Sequence, residues 1–186
     1  MSQTEVRTIE GIEIPEPGDW QLDPVHTAVE FSARHLMVSK VRGKFTGVSG
    51  NIHISDDPLG SWVEVKIDPA SVESGDAKRD EHLRSPDFFN VAEFPAMSYK
   101  GKATKFNGDA PATVEGELTL LGVSKPVTLT VERWKCGPDP RTQGKRYFCG
   151  GNATGAFNRS DFGMKFIVGP VSDEVKLWMS LEAFRD

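Results

Sequence analysis

From Trp20 onward, β-branched and aromatic residues recur at every second position, which is the period of a strand and not of a helix. Between His26 and Arg34, Thr27, Val29, Phe31 and Ala33 share one face, while Glu30, Ser32 and Arg34 share the other. Leu36-Met37-Val38-Ser39 reads as a turn into a strand from Val41 to Phe45. After Gly47 and Gly50 the strand resumes through Asn51-Ile52-His53-Ile54, as at a bulge or a barrel corner. Trp62 to Asp68 alternates strictly. Further strands are predicted over 96–104, 112–121, 127–135, 147–157 and 174–184, each bounded by Gly, Pro, Asn or Asp. One segment, near residues 76–85, is of a different kind. It carries acids early, an arginine late and Pro86 as a stop, and so predicts one short helix.

About eight or nine short strands with a single helix cannot form a parallel sheet, because each parallel crossover needs roughly a dozen residues or more. The predicted class is therefore all-β, with an antiparallel, mostly up-and-down sheet. Such a sheet either closes on itself or splits into a sandwich, since closure removes exposed edges, and periodicity does not choose between the two. Among the 186 residues no Pro/Gly/Ser-rich linker marks a second domain, so residues 19–186 read as one unit behind an N-terminal extension at 1–18.

A net charge of −5 provides no overall basic field to draw in phosphate backbones or anionic headgroups, and nucleic acid is not an expected partner. The first eighteen residues hold four glutamates and no apolar run of signal-peptide length, and no later stretch approaches a spanning helix. The expectation is a cytoplasmic chain without an integral membrane segment, in which Cys136 and Cys149 are free thiols. A hairpin across the turn-rich stretch between them could nevertheless bring the two together.

The inward stripe comprises Val29, Phe31, Phe45, Ile52, Ile54, Val65, Ile67, Met97, Tyr99, Leu118, Leu120, Val127, Leu129, Leu177, Met179 and Leu181. A barrel of this size is either filled by such side chains or lined by them around one small ligand. Ala28, Ala33, Gly43, Gly116 and Gly155 would make room if they face inward. Met37, Met97, Met164 and Met179 could supply an adaptable apolar wall. The helix and the following Phe88-Phe89 are expected to cover one mouth, with Arg79, Asp80, His82 and Arg84 as a capping network. The Arg159-Ser160-Asp161 turn is expected to tie a strand end. His26, His35, His53 and His82 show no zinc spacing, so neither a metal nor a cofactor is expected. No nucleophile elbow, phosphate loop or dinucleotide fingerprint is present.

The punctuation between strands is more specific than the strands. Trp20-Gln21-Leu22-Asp23-Pro24-Val25-His26, Phe31 to Ser39, Val41-Arg42-Gly43-Lys44-Phe45, Arg79 to Phe89, Phe94-Pro95, Gly116 to Val127 and Asn158-Arg159-Ser160-Asp161-Phe162-Gly163-Met164 follow one another in fixed order. In that order the chain closely resembles the YceI-like family. The resemblance implies an eight-stranded lipocalin-like β-barrel whose interior holds an extended isoprenoid, quinone-type or fatty-acid-derived chain, often in a homodimer. With the inward stripe, Phe88, Phe89, Phe162 and Met164 complete the candidate ligand-binding residues. The implied activity is sequestration or carriage of that lipid and not catalysis. Two rivals stay open: an enzyme acting on a lipid-like substrate with His26, His35 or His82 as general base, and a ligand-free scaffold packed to normal density.

Overall fold

A computed structural model of the chain describes residues 7–9, 12–14, 16–107 and 110–185. Strands β1 (Arg7–Ile9) and β2 (Ile12–Ile14) pair only with each other, within the expected N-terminal extension; residues 1–6, 10, 11 and 15 of that extension lie outside the described residues. Then come β3 (Gly18–Leu22), β4 (Ala28–His35), β5 (Ser39–Phe45), β6 (Val48–Ile54), β7 (Trp62–Ile67), β8 (Val72–Glu73), helix α1 (Ala77–Arg84), β9 (Met97–Asn107), β10 (Ala110–Leu120), β11 (Val123–Pro138), β12 (Tyr147–Asn158) and β13 (Glu174–Arg185).

All pairings between these strands are antiparallel, and they close. β3 with β4, β5 with β6 and β7 with β8 act as three bent staves, and β9 to β13 supply five more, giving a closed eight-stranded barrel. β13 makes the closure: it pairs with β12 from Glu174 to Arg185, and on its other edge with β4 (Lys176↔Ser32 to Ser180↔Ala28) and then β3 (Ala183↔Leu22). Barrel and not sandwich is the outcome.

The predicted strand ends were short in places. β11 begins at Val123 because Leu121 (φ 52°) and Gly122 (φ 71°) turn the chain in two residues, straight from Leu120 into its partner Val123. Pro126 is tolerated inside β11 because residues 123–129 pair with β10 alone; pairing with β12 starts at Thr130. The helix is where the charge pattern predicts it. The Asp76 carboxylate accepts from the Arg79 N–H at 2.8 Å, and the guanidinium of Arg84 donates to the Ala70 and Val72 carbonyls, strapping the helix to the strand before it.

The two cysteines overturn the free-thiol expectation: Cys136 and Cys149 form a disulfide. The register makes them direct cross-strand partners in the β11–β12 hairpin, with Cα atoms 4.1 Å apart, and both lie on the inward face of their strands. Compartment was the wrong guide and strand pairing the right one. Bridging two residues 13 apart restricts the unfolded chain by about 3 kcal/mol. The double variant Cys136→Ser/Cys149→Ser is expected to lose about 2–4 kcal/mol in urea unfolding, with the barrel's circular dichroism unchanged.

Candidate functional site

The barrel interior carries the chemistry of interest, and it divides into two apolar lobes, with empty volumes of ≈ 860 Å³ and ≈ 1240 Å³ counted out to their open mouths. β13 runs past both. Its inward side chains Val175 and Leu177 line the larger lobe, Leu181 lines the smaller, and Met179 between them lines both. From Val175 to Leu181 the wall runs about 20 Å at the rise of an extended strand.

The larger lobe opens beneath α1. Val29, Phe31, Phe45, Ile67, Met97, Leu118, Leu177 and Met179 of the inward stripe line it, together with Phe88, Phe89 and Met164. Its deep side is aromatic: Phe31, Phe45 and Phe89 pack in a triangle with ring centroids 5.4–6.0 Å apart. At the rim, Phe88, Phe166 and His82 form a second triangle at 5.0–5.6 Å, so Phe88 stands at one mouth while Phe89 packs deeper. The smaller lobe, at the opposite end, takes in Ile52, Ile54, Leu129, Met179 and Leu181 from the predicted set.

Five predicted residues do not line either lobe. Val65, Tyr99, Leu120, Val127 and Phe162 are buried in packing, where strand facing alone could not separate wall from filler. Tyr99 shows why. Its ring lies across Gly116, where an added Cβ would fall 2.6 Å from the ring, and its hydroxyl donates to the Val127 carbonyl at 2.9 Å, two strands away. Burial holds that phenol well above its ordinary range, so it stays a neutral donor. The space over Gly43 is likewise taken by Phe31 and that over Gly155 by Leu129. These glycines make room for neighbouring side chains and leave none for a guest; Ala33 does line the larger lobe. Met37 is 84% exposed at a hairpin tip and lines nothing.

Other wall residues were not singled out. Val41, Phe157, Val171 and Val175 extend the larger lobe, and Trp62, Val63, Val114, Val131, Trp134 and Ala153 the smaller. The signal for Trp134 was legible in principle. Two consecutive charges, Glu132 and Arg133, interrupt the alternation after Val131, and a register shift there returns Trp134 to the inside.

The smaller lobe has Ser61 and Asn152 in its wall, and the titratable groups gather at the mouth of the larger lobe, where His35, Arg79, His82 and Arg159 join the wall. His82 Nε2 lies 2.8 Å from Asp87, and Arg79 is spent on the hydroxyl and carbonyl of Ser74, as a capping network should be. His26 and His53 are elsewhere, bound to Asp23 and Asp19 at 2.6 and 2.7 Å. Among the described residues no group of three His, Cys, Asp or Glu could hold a metal.

Arg159 is 2% exposed and donates to four carbonyls, those of Met164, Phe166, Val171 and Ser172, so it does tie the loop before β13 to the wall. Burial lowers its affinity for the proton and the Asp173 charge opposes that, leaving at the cavity wall a cation that has no direct ion pair among the described residues. Asp173 accepts from the Ser160 N–H and hydroxyl at 2.8 and 2.6 Å, and these hydrogen bonds hold its carboxyl below the usual 3.8. A depressed native value means stability that is present above the unfolded value and lost as pH falls through the native one. Asp173→Asn is therefore expected to destabilise the protein at neutral pH and to flatten the acid side of its stability profile, read from thermal midpoints in a pH series.

A closed up-and-down barrel with an apolar interior reaching toward both ends is a lipocalin-like barrel. The comparisons give the family: the YceI-like domain matches residues 20–183, and the chain belongs to the YceI-like family. A UPF0312 protein of Pseudomonas aeruginosa is 38% identical over 170 residues, covering 90% of this chain and 87% of that one. A UPF0312 protein of Yersinia pestis is 37% identical over 167 residues, covering 88% and 85%. Among solved structures, the Campylobacter jejuni YCEI protein superposes with a TM-score of 0.67 at 28% identity, covering 82% of this chain and 90% of that one. A polyisoprenoid binding domain from Saccharophagus degradans shares the fold, with a TM-score of 0.63 at 18% identity over 88% of this chain and 97% of that one.

Proposed function

We propose that the protein encloses one long apolar lipid, an isoprenoid, quinone or fatty-acid derivative, with its tail along β13 and its polar end at the mouth beneath α1. The observation that carries this reading is Met179, one flexible side chain common to both lobes, with apolar wall on either side of it. A guest that threads past it has far more apolar surface to bury than either lobe alone offers. About twenty methylenes would contribute on the order of 16 kcal/mol gross, before the cost of ordering a flexible chain.

The mouth fits the other end of such a molecule. Arg159 adds positive potential there, beside His35 and the already hydrogen-bonded Arg79 and His82, whereas the rest of the wall is nearly all apolar. The S. degradans domain of the same fold binds a polyisoprenoid, a chain of suitable shape for a cavity of these proportions. Binding of this kind asks for no chemical step. The two lobes favour it over the scaffold reading, which calls for an interior packed to normal density.

Native mass spectrometry of the purified protein, followed by organic extraction, is expected to reveal a long-chain lipid in the barrel. A protein that stays empty when offered polyprenyl phosphates, quinones and fatty-acid derivatives rules the reading out. Met179→Trp sharpens the test. An indole between the lobes is expected to weaken binding of chains long enough to span both by about tenfold or more, the loss of only two or so buried methylenes being enough. Short chains confined to the larger lobe, which meet Met179 as one wall residue among many, are expected to lose less.

A further inference from the structure

The rim of the larger lobe breaks three local rules at once. In the β4–β5 hairpin the Val38 N–H donates to the His35 carbonyl at 3.1 Å, closing a turn whose central residues are Leu36 (φ 51°) and Met37 (φ 59°). Left-handed backbone at both positions is the territory of Asn-Gly, and branched or long apolar side chains are strained there. Leu36, Met37 and Val38 are nonetheless 59, 84 and 92% exposed. Beside them the loop before β13 exposes Phe166, Ile167 and Val168, with Ile167 also left-handed at φ 44°. The two segments are joined, since the Leu36 N–H donates to the Pro170 carbonyl at 2.7 Å and His35 bridges Val171.

The third departure is electrostatic. Arg34 and Lys40 are direct cross-strand partners, a like-charge pair that costs stability, and Arg42 and Lys165 stand nearby in sequence. Among the described residues none of these four has an ion pair; Glu174 shares the groove holding Arg34, Lys40 and Lys176, and Lys44 further along β5 meets Glu73 at 3.8 Å. A net charge of −5 hides this corner of cations beside apolar tips.

We propose that this rim is a docking surface for a lipid bilayer bearing anionic headgroups. Leu36, Met37, Val38 and Phe166 enter the boundary between headgroups and acyl chains, and Arg34 and Lys40 meet phosphate. His35 and Ile167 belong both to this rim and to the cavity wall, so docking brings the opening of the larger lobe against the membrane. A second copy of the chain fits less well, because a self-complementary contact would press one cationic patch against another. The purpose assigned to docking rests on the lipid-binding reading; the docking itself does not.

Flotation of the full chain with extruded vesicles tests it. The protein is expected to float with phosphatidylcholine–phosphatidylglycerol vesicles, less with phosphatidylcholine alone, and less again as salt rises. Leu36→Asn/Met37→Gly supplies the residues the turn geometry favours. It should melt at or above the wild-type temperature while bound protein falls about tenfold or more, each buried apolar side chain being worth at least that factor. Arg34→Gln/Lys40→Gln should lose the preference for phosphatidylglycerol. Flotation of the Asn-Gly variant at the wild-type level overturns the proposal, as does a wild type that ignores both vesicles. A concentration-dependent dimer abolished by the same variant, without vesicle binding, identifies a second copy as the occupant and also overturns it. Native mass spectrometry separates the two readings: a wild type that floats but holds no lipid sinks carriage and leaves docking standing.

Discussion

β13 hydrogen-bonds to β12 along its whole length and, across its other edge, first to β4 and then to β3, so the last strand holds the first against the last hairpin. Without that double pairing the remaining strands form an open sheet, one face of which carries the inward residues of every stave. Closure does two things together. It removes the edges that would otherwise recruit other chains, and it turns a single apolar face into an enclosed interior. The same strand then draws the axis of that interior, because its alternate side chains run from one lobe through Met179 to the other.

An interior made this way is crowded, and the small residues decide where. Gly116 lets the Tyr99 ring cross β10 to reach β11, and Gly43 lets Phe31 lie over β5. Both fill the barrel and brace adjacent strands. The open volume lies in the two lobes on either side of Met179. A polar floor is avoided by spending hydrogen bonds locally: the buried guanidinium of Arg159 is occupied by carbonyls of its own loop and presents charge without demanding a partner.

Period-two alternation with Gly and Pro punctuation was enough for the class and most of the strands, and the charge pattern for the helix, since those signals are local; the short strands β1, β2 and β8 escaped it. Closure was not local, and only the ordered motifs from Trp20 to Met164 spoke for it. The inward stripe was legible as a face, yet Val65, Leu120 and Val127 could not be told from Ile67, Leu118 and Leu129. Lining a void rather than packing against a neighbour depends on what stands across the barrel. Trp134 was lost to a register shift, which inverts every later side chain on its strand. The disulfide was missed for a different reason: the pairing register that sets Cys136 opposite Cys149 outweighs an argument from compartment.

The contrast between net and local charge bears on how such a barrel could meet a membrane. Beyond roughly 10 Å in physiological salt an anionic bilayer senses little of either, and closer in it senses the nearest groups. A chain of net charge −5 is then repelled in most orientations and attracted in the one that leads with Arg34, Lys40 and the apolar tips. Repulsion elsewhere on the surface sharpens the choice, because it removes competing contacts without touching the productive one. The strained left-handed turn at Leu36 and Met37 is consistent with that bargain. A fold that sought stability alone would place Asn-Gly there, and the apolar pair persists at a cost that a rim used for docking can justify.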